Sequence, residues 1–458
     1  MEAPNTPPST LNLIGNTPLV RLMGFDTGVC ELYLKLESQN PGGSIKDRMA
    51  VAMIEAAERV GALKAGSTIV EATAGNTGIG LALVAAIKGY QLILVIPDKM
   101  SPEKIAHARA LGAEIRLTRS DAHPGSPDYY QDMAAHIAQT TPCAYHINQF
   151  ANPANPLAHE VTTGPEIWHQ MDHKVDTVVC GVGSGGTMTG LSRFFARVSP
   201  DVEMVLADPV GSSLAEYVRT RKHVESGSYA VEGIGNSCVP AIADLSRVRR
   251  AFSISDSESF LTARDLLKRT GIFAGPSSGT LLAAALRYCR EQTEAKRVVT
   301  LVCDTGSKYL SKMYNDYWML DQGYLERSPT GTLRELITRR YEEGGVITVK
   351  PDDTLLTAFQ RMRMADISQV PVIQQNRCVG VLDESDLLRA VHADASRFHS
   401  PVREAMTSRL ETIPASAAIG SVYGILDRGL VALVTDGDVF AGLITRSDVL
   451  NHLRRKTH

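Results

Sequence analysis

Short apolar stretches alternate with helical patterns from about Leu11 to Gln322, and this alternation restricts the fold more than any other feature of the 458-residue chain. Several stretches are followed by a turn rich in Gly or Ser and then by a helical run. That order is typical of α/β proteins with a mostly parallel sheet covered by helices. The predicted strands are Thr68–Ala72, Gln91–Ile96, Glu114–Leu117, Ala144–Ile147, Thr177–Cys180, Glu203–Ala207 and Val298–Val302. Ligands of such sheets bind at the carboxyl ends of the strands, so the turns that follow are the candidate sites.

The pattern changes after Tyr324, where two similar units follow one another. Each reads strand, helix, strand, turn, strand and helix, and two matching aspartates, Asp386 and Asp448, lie 62 residues apart. Such a repeat predicts small modules that bury one face against each other. We therefore predict a domain at residues 1–325, a linker at 326–340 and a paired module at 341–458, with repeats at about 341–395 and 400–458.

The composition predicts a soluble globular protein of the cytoplasm. The formal charge is only −3 and there is no basic run, which gives no reason to expect nucleic-acid binding. Apolar runs such as Leu81–Ile87 are too short to span a bilayer, and the first residues lack the regions of a signal peptide. The seven cysteines are scattered without a C-x-x-C pair, which predicts reduced thiols and no metal site.

Lys46 lies in the stretch Asn40–Arg48, between an apolar run with strand character and a helical pattern that ends at Val60 before Gly61. The dipole at a helix N-terminus favours negative charge, so the ammonium form of a lysine is disfavoured there. Such an amine is suited to Schiff-base chemistry. An ordinary loop with a solvated lysine is an equal interpretation of this stretch taken alone.

Gly181–Gly190 is a glycine-rich turn between a predicted strand and a predicted helix at Leu191–Val198. Its backbone amides, together with the hydroxyls of Ser184 and Thr187, form a candidate phosphate site. So many glycines lower the stability of a turn that has no ligand, which makes a purely structural turn the weaker interpretation. Cys303–Gly306, after the last predicted strand, is a candidate for the rim of the same site.

The glycine-rich turn also admits a different interpretation. Gly181, Gly183 and Gly186 have the spacing of a dinucleotide-binding fingerprint, and Asp208 ends the next predicted strand, where an acid that binds ribose is expected. An NAD-dependent oxidoreductase is therefore an alternative, although it leaves Lys46 without a role.

Two further turns carry polar groups at the starts of helices. Thr73–Gly78 offers backbone amides that suit a carboxylate, and Asn76 can donate to a phenolic or carbonyl oxygen. Ser277, within Gly275–Thr280, can present its hydroxyl to a ring nitrogen. A plain N-cap is the simpler alternative for both turns. A lysine amine, a phosphate site, a carboxylate loop and a hydroxyl for a heterocycle together predict a site for pyridoxal phosphate (PLP).

The chain resembles the fold-type II pyridoxal phosphate β-family over nearly its whole length. The matching motifs include Leu11–Val20, Pro97–Met100, Arg109–Glu114, Asn155–His159, Glu232–Gly235 and Trp318–Leu320. The two repeats resemble the tandem regulatory modules, called CBS modules or a Bateman domain, that occur in the same family. The resemblance implies a two-lobed α/β domain of mostly parallel, twisted sheets with flanking helices, followed by an α+β tail.

The resemblance also implies a role for individual residues. Lys46 would bind the cofactor covalently and later move the Cα proton of the substrate. Cofactor contacts are implied for Asn76 at the 3′ oxygen, for Gly183, Ser184, Gly185, Gly186 and Thr187 at the phosphate, and for Ser277 at the ring nitrogen. Substrate contacts are implied for Thr73, Ala74, Gly75, Thr77 and Gln149, and for Gly233, Ile234 and Gly235 on the access path of the second substrate.

The members that the chain resembles most replace the β-substituent of serine with a thiol. A serine hydroxyl at the ring nitrogen leaves that nitrogen largely unprotonated, which favours loss of a β-substituent over transamination. The implied reaction condenses L-serine, or an O-activated serine, with L-homocysteine to give L-cystathionine, with release of hydrogen sulfide from cysteine as a further reaction. One alternative is an O-acetylserine sulfhydrylase with a regulatory tail. Another is a non-catalytic sensor that binds its ligand in residues 341–458, against which Lys46 argues.

Several positions depart from the family pattern. Only about ten residues precede the Leu11 motif, so we expect PLP but not the haem-binding extension of animal members. Ala74 stands where many relatives have serine, which removes one hydroxyl donor. Phe150 and Asn236 stand where animal relatives have tyrosines. These differences leave the β-leaving group and the incoming thiol open.

In the tail, Asp386 and Asp448 begin predicted helices at the position where family members bind ribose hydroxyls. Thr445 precedes Asp448, whereas the first repeat has Asp383 there, which is unfavourable for an anionic group. The implied ligand, S-adenosylmethionine, is therefore expected at Thr445 and Asp448. Ser368 replaces an aspartate of the animal members, and ligand-free structural modules are an equal alternative. Paired modules and the family both imply a homodimer or homotetramer.

Overall fold

Residues 9–73, 75–98, 100–123 and 125–455 are described by the computed structural model. The chain divides into two units between Tyr314 and Asn315. The proposed boundaries at residues 325 and 340 stay predictions. Within the described ranges, no helix combines the length and the apolar character that crossing a membrane requires.

The strands of the first unit form two sheets. These strands are β1 (Leu19–Arg21), β2 (Glu31–Lys35), β3 (Thr68–Ala72), β4 (Gln91–Pro97), β5 (Glu114–Thr118), β6 (Ala144–His146), β7 (Thr177–Cys180), β8 (Glu203–Pro209), β9 (Val248–Ile254) and β10 (Arg297–Leu301). The strand orders are β1-β2-β10-β7-β8-β9 and β5-β4-β3-β6. Neighbouring strands are parallel except β1 and β2. This arrangement confirms the predicted two-lobed, mostly parallel α/β fold.

Burial explains which strands could be recognised in the sequence. All residues of β3 and β7 are buried, as expected for parallel strands covered on both faces, and both strands have their predicted bounds. The strand β9 was not predicted. It is an edge strand whose sequence, Val-Arg-Arg-Ala-Phe-Ser-Ile, is buried only at its two ends and has no continuous apolar run.

Helices connect and cover the strands of the first unit. They are α1 (Lys46–Arg59), α2 (Asn76–Lys88), α3 (Pro102–Ala110), α4 (Tyr130–Thr140), α5 (Ala154–Ala158), α6 (Gly164–Gln170), α7 (Gly186–Val198), α8 (Leu214–Thr220), α9 (Asp256–Thr270) and α10 (Pro276–Arg290). One π-helical turn, His159–Thr163, joins α5 to α6. The helices α1 and α2 share an apolar core with β3 and β4, in which Met53, Leu81 and Leu94 are buried.

The second unit contains the two predicted repeats. Its helices are α11 (Asp316–Gln322), α12 (Leu333–Leu336), α13 (Leu355–Ala365), α14 (Glu384–Val391), α15 (Tyr423–Asp427) and α16 (Arg446–Arg455), and its strands are β11 (Gln369–Gln374), β12 (Arg377–Asp383), β13 (Thr412–Pro414), β14 (Ala432–Asp436) and β15 (Val439–Ile444). Each repeat contains an antiparallel hairpin, β11–β12 or β14–β15. The parallel partner of the hairpin is β13 in the second repeat and a single bridge, Val349 to Val372, in the first. Leu333, Leu336 and Ile337 pack into the apolar core of the second repeat.

Candidate active site

A cavity in the first unit collects residues that are far apart in the sequence. It is lined by Ile45, Lys46, Asn76, Cys180, Gly181, Gly183, Ser184, Gly185, Gly186, Thr187, Gly233, Ile234, Ser277, Leu301 and Cys303. These residues follow β2, β3 and β7, end or follow β10, or belong to the start of α10 and the Gly233 loop. The carboxyl ends of parallel strands therefore meet here, and every residue predicted to contact the cofactor lies on the cavity wall.

Lys46 is the first residue of α1, and the loop before it is held by the segment that follows β10. The backbone N–H of Ile45 donates to the Cys303 carbonyl at 2.9 Å, and that of Thr305 donates to the Gly43 carbonyl at 3.1 Å. Gly43 has φ +72°, a value that favours glycine. The position of the amine is thus set by contacts between residues about 260 positions apart in the chain.

The glycine-rich turn leads directly into the N-terminus of α7. Gly185 caps the helix in the left-handed region, with φ +97°. The Cβ of any side chain at Gly186 would collide with Asn155 Oδ1, so the turn packs too closely for a larger residue. Because the first N–H groups of a helix have no partner within it, they are available to an anion at this end of the cavity.

The two hydroxyls of this turn are held from behind by the α5–α6 segment. Asn155 Nδ2 donates to Ser184 Oγ at 3.0 Å, and Thr187 Oγ1 lies 3.3 Å from His159 Nε2. Burial, reinforced by the charges of Lys46 and Arg48, lowers the pKa of His159 well below its usual value. His159 is therefore neutral at physiological pH. Neither Asn155 nor His159 was predicted as a site residue, although both belong to the Asn155–His159 motif.

Asn76 and Ser277 lie at the starts of α2 and α10. The Asn76 amide donates from Nδ2 to Asp304 Oδ2 at 2.7 Å and accepts at Oδ1 from Lys308 Nζ at 2.8 Å. Ser277 is 4% exposed and lines the cavity beside Cys303. Sequence reasoning missed Asp304 and Lys308 as functional residues. The only signal was that the Cys303–Gly306 segment follows a strand end.

The residues predicted to bind the substrate carboxylate cluster at the start of α2. Thr73 Oγ1 accepts from the Gly75 N–H at 3.1 Å, and Thr77 Oγ1 donates to Gln149 Oε1 at 2.8 Å. Gln149 Nε2 donates in turn to the Ala72 carbonyl at 3.1 Å. The structure thus brings these residues together, whereas Ala74 lies outside the described residues.

A buried carboxyl group lies beneath this loop. Burial raises the pKa of Glu71 in β3 to about 8, so its neutral form predominates at pH 7. Its Oε1 accepts from Gln149 Nε2 at 3.3 Å, and its Oε2 has no partner within the described part of the chain. Glu71 was not predicted to contribute to the site.

The predicted access path of the second substrate borders the same cavity. Gly233 and Ile234 line it, whereas Gly235, with φ +87°, lies beside it and donates its N–H to the Val182 carbonyl at 2.8 Å. Asn236 Nδ2 donates to the Gly183 carbonyl at 2.5 Å. Asn236 therefore contacts the glycine-rich turn directly.

A buried network of charges supports the start of α1. Arg48 pairs with Glu37 and with Glu166, each at 2.7 Å, and Lys35 pairs with Glu166 at 2.7 Å. Burial alone would lower the pKa of Arg48, but its hydrogen bonds to the two carboxylates raise it. The pKa of Glu166 falls to about 2, because its partners Arg48 and Lys35 outweigh the opposing effect of burial. These shifts favour the charged forms of Arg48 and Glu166 at neutral pH, and Arg48 lies two residues after Lys46 in the sequence.

A second charged cluster, also missed by sequence reasoning, lies at the Glu232 position. Lys104 and Lys312 each approach Glu232 to 2.6 Å, and the side chains of Lys104 and Glu232 are at most 8% exposed. Lys104 also lies over the Tyr309 ring, 4.4 Å from its centre. The pairing explains why the buried Glu232 carboxylate can stay charged, since the two lysines lower its pKa against the effect of burial.

The cavity suits a phosphorylated aldehyde by the chemistry of its walls. Among its described lining residues there is one primary amine, several hydroxyls, an amide and a helix N-terminus, but no carboxylate that would repel an anion. Within the described residues, no group of three or more His, Cys, Asp or Glu side chains is arranged to hold a metal ion. The residues present therefore fit PLP, with Lys46 for its aldehyde and Gly183–Thr187 for its phosphate.

In the second unit, Asp448 and Thr445 form a compact polar group at the start of α16. Asp448 Oδ2 accepts from the Thr445 N–H at 2.7 Å and from Thr445 Oγ1 at 2.6 Å. Thr338 Oγ1 lies 3.2 Å from Asp448 Oδ1 and 3.1 Å from Asp321 Oδ1. Burial and then the charge of Asp448 raise the pKa of Asp321.

The equivalent group of the first repeat is engaged differently. Asp386 and Asp383 cap α14 reciprocally, and Arg389 donates to Asp386 Oδ1 at 2.5 Å. Asp383 thus occupies the position of Thr445 with a carboxylate. The structure shows both groups at helix starts, as predicted, but assigns no ligand to either.

Fold and site define the class of this protein as a PLP-dependent enzyme of fold type II. Residues 10–304 match the family model described as pyridoxal-phosphate dependent enzyme, and residues 333–393 and 402–455 match that of the CBS domain. The chain is 36% identical to a rabbit (Oryctolagus cuniculus) cystathionine beta-synthase, with 96% of this chain and 81% of that protein covered. It is 31% identical to the cystathionine beta-synthase of Saccharomyces cerevisiae, with 97% of each chain covered. The chain therefore belongs to the cystathionine beta-synthase family.

A solved structure is similar to about two thirds of the chain. A hydrogen sulfide-producing enzyme from Fusobacterium nucleatum superposes with a TM-score of 0.63 and is 37% identical, covering 67% of this chain and all of that protein. The predicted dependence on PLP, the lyase class and the tandem CBS modules are confirmed by these matches.

The alternative of an NAD-dependent oxidoreductase is wrong. Asp208, which that interpretation assigned to a ribose, is fully buried, and its Oδ2 accepts from the Ala215 N–H of α8 at 2.8 Å. The glycine-rich turn instead shares its cavity with Lys46. The dinucleotide fingerprint and the PLP phosphate site have similar glycine spacing because both bring an anion close to a helix N-terminus.

Proposed function

We propose that the protein condenses L-serine, or an O-activated serine, with L-homocysteine to give L-cystathionine, in a β-replacement that also allows release of hydrogen sulfide from cysteine. The observation that carries this proposal is the cavity in which Lys46, the glycine-rich turn and Ser277 meet. The substrates are amino acids, and the proposed site of action is the cytoplasm. A homodimer or homotetramer is the assembly that we propose for the chain.

The residues of the site have different roles in this reaction. PLP, when bound, supplies the electron sink that stabilises negative charge at Cα. Gly183–Thr187 would hold its phosphate, Ser277 would contact its ring nitrogen, and Asn76 would donate to its ring oxygen. Gly233, Ile234 and Gly235 border the path of the thiol.

Lys46 moves the proton that the reaction requires. Thr73, Gly75, Thr77 and Gln149 bind the substrate carboxylate and so orient the Cα–H bond towards the amine. Lys46 removes this proton, the Cβ–O bond breaks, and the homocysteine sulfur forms the new bond to Cβ. The hydroxyl leaves as water, and the proton that it gains is balanced by the proton that the homocysteine thiol loses. Lys46 then returns the proton to Cα, so serine and homocysteine are converted to cystathionine and water.

The choice between this reaction and an O-acetylserine sulfhydrylase is tested by kinetics. We expect kcat/KM for serine with homocysteine to exceed kcat/KM for O-acetylserine with sulfide by at least about tenfold. The ratio of these two kcat/KM values defines the specificity of the enzyme. Purified protein would be assayed for cystathionine and for cysteine under identical conditions. A ratio in favour of O-acetylserine and sulfide would reassign the chain to the sulfhydrylase reaction.

For the tail we propose that an adenosyl compound such as S-adenosylmethionine binds at Thr445 and Asp448. The proposal is supported by the Thr445 hydroxyl beside a carboxylate at the start of α16, whereas Asp386 is paired with Arg389 and flanked by Asp383. Asp448 Oδ1 already accepts one hydrogen bond, from Thr338, and a carboxylate oxygen can accept a second one from a ribose hydroxyl.

We expect S-adenosylmethionine at a hundred times its Kd to stabilise the protein by about 2.7 kcal/mol, which raises Tm. Asp448→Asn should greatly reduce this shift because an amide has one accepting oxygen and no charge where the carboxylate has two accepting oxygens, whereas the matched variant Asp386→Asn should keep it. Differential scanning calorimetry with and without the compound measures both. The proposal fails if S-adenosylmethionine changes neither Tm nor the rate of the unsubstituted protein.

A further inference from the structure

Lys308 lies outside the set of residues to which the proposed reaction gives a role, yet it is buried against that set. It belongs to the 3₁₀ turn Gly306–Tyr309 after β10 and is only 3% exposed. Its Nζ donates to Asn76 Oδ1 at 2.8 Å, to the Gly42 carbonyl at 2.8 Å and to the Gly43 carbonyl at 3.2 Å. An ammonium group has three hydrogens and no acceptor, so these three contacts use all of its hydrogen-bonding capacity.

The contact with Lys308 determines which way the Asn76 amide points. Lys308 can only donate, so Oδ1 must face it, and the Asp304 carboxylate accepts from Nδ2 at 2.7 Å. Tyr309 donates to the same Asp304 oxygen at 2.6 Å and holds it in place. One hydrogen of Nδ2 is engaged by Asp304, and the second stays available to a group in the cavity that Asn76 lines.

The Lys308 ammonium group also contacts the loop that precedes Lys46, and it thereby connects this loop with Asn76. Gly42 and Gly43 immediately precede Ser44, Ile45 and Lys46 in the sequence. A side chain at Gly43 would place its Cβ 2.9 Å from Thr305 and 3.4 Å from Lys308 Nζ, so the turn packs directly on the segment that carries Lys308. Loss of the three hydrogen bonds would leave both the Asn76 amide and the Gly42–Gly43 turn without their contact to Lys308.

We propose that Lys308 is a positioning residue that fixes the Asn76 amide with an N–H towards the cofactor oxygen and holds the Gly42–Gly43 turn before Lys46. This inference rests on the proposed function, because it requires that Asn76 faces PLP. Lys308 itself has no contact with the reacting atoms in this scheme and acts through Asn76 and the turn.

The charges around Lys308 give the inference a pH signature. Burial lowers the pKa of Lys308 to about 8, although Asp304 and Asp47 oppose this effect, and Lys104 lowers it further. His107 also faces the group, since the charge of Lys308 helps to lower the His107 pKa. Above pH 8 the neutral amine has two hydrogens for three acceptors, so the hydrogen bond from Lys308 to Asn76 weakens.

As the pH rises, the change expected in PLP affinity is opposite in sign to the change in the contribution of Lys308 to folding stability. Affinity for PLP should be greatest below the folded pKa of about 8 and fall as the pH rises through it. For folding, a lysine whose pKa is lowered from 10.5 to about 8 binds fewer protons in the folded state between these values. Its contribution to stability therefore rises with pH in that window. If the role of Lys308 were purely structural, its effect would follow the second pH dependence, in which its contribution to stability rises with pH.

The experiment is a double-mutant cycle on the cofactor-loaded enzyme. Lys308→Met, Asn76→Leu and the double variant would be compared for the Kd of PLP and for the absorbance band at about 410–420 nm that PLP gives when it is bound to a lysine. Lys308→Met should weaken PLP binding at least about tenfold, because a charge-assisted hydrogen bond is lost. In the Asn76→Leu background the loss should be smaller than in the unsubstituted enzyme, since the contact with Asn76 is already removed and only the contacts with the Gly42–Gly43 turn remain. Lys64→Met, at an exposed lysine, is the matched control and should change neither quantity.

A pH series from about 6.5 to 9.5 on the unsubstituted enzyme requires no variant to fold and spans the expected pKa. PLP affinity should decline with a midpoint of about 8, and this decline should be absent in Lys308→Met. Equal PLP affinity of Lys308→Met and the unsubstituted enzyme, or full additivity in the cycle, would overturn the inference while the proposed function stands. An unsubstituted protein that binds no PLP would instead end the proposed function.

Discussion

Replacement of Lys46 by Ala is expected to lower β-replacement activity by at least about 10⁴-fold, because the variant loses both the covalent attachment of PLP and the group that moves the Cα proton. The variant should remain folded. Lys46 is the first residue of α1 and does not belong to the apolar core beneath it, which Met53 helps to form. Activity would be measured as cystathionine formed per enzyme, with circular dichroism and Tm as checks of folding.

The colour of the protein provides an independent readout of the same change. The unsubstituted enzyme should be yellow, with absorbance at about 410–420 nm, and reduction with borohydride should attach the cofactor permanently to Lys46. Lys46→Ala should lack this fixed attachment, whereas Lys64→Ala, at an exposed position, should retain both colour and activity. Retained β-replacement in a folded, colourless Lys46→Ala protein would contradict the assignment of the reaction to this cavity.

Replacement of Arg48 by Met is expected to destabilise the protein by about 3–5 kcal/mol, the cost of leaving buried charges without their partner. The side chains of Arg48 and Glu37 are 2% and 0% exposed, and Glu166 also depends on Arg48 for two hydrogen bonds. Met is apolar and fills much of the same volume, so the loss comes mainly from the buried Glu37 carboxylate, which has no other ion-pair partner among the described residues, whereas Glu166 keeps Lys35.

Equilibrium urea unfolding of the two proteins measures this difference in the free energy of unfolding. Arg21→Met is a matched control, because the Arg21–Glu31 pair is 52% and 33% exposed and exposed pairs contribute about 0–1 kcal/mol. If Arg48→Met costs no more than Arg21→Met, the network does not stabilise the start of α1. The variant also reports on function, since any shift of α1 moves Lys46.

Most of the strands that the sequence predicted contain a run of apolar residues, although Glu114–Leu117 does not. Thr68–Ala72 and Thr177–Cys180 have the predicted bounds because strands buried on both faces are rich in apolar residues, although β3 also buries Glu71. The edge strand β9 carries two arginines and was not predicted. Its position depends on pairing with β8, which no local pattern encodes.

The site was predicted in the same way, from turns at the ends of recognisable strands. Lys46, Asn76, Gly183–Thr187 and Ser277 all follow this rule or begin a helix, and all line one cavity. The roles of these residues stay predictions until the variants are measured. Asp304 lies in the Cys303–Gly306 turn, which was a candidate for the rim of the site, whereas Lys308 has no such signal. The contacts of both with Asn76 could not be predicted, because they join residues more than 220 positions apart.

The sequence by itself determined the strand–turn–helix order, the repeat in the tail, and the presence of an amine, a glycine-rich turn and a hydroxyl at helix starts. These features follow from local periodicity and from the backbone freedom of glycine, and both are readable residue by residue. Only the tertiary structure decided that Asn155 supports Ser184, that Arg48 joins two carboxylates, and that Lys308 orients Asn76. Such contacts arise from the order of strands in the sheets, which places distant segments side by side without leaving a periodic mark on the chain.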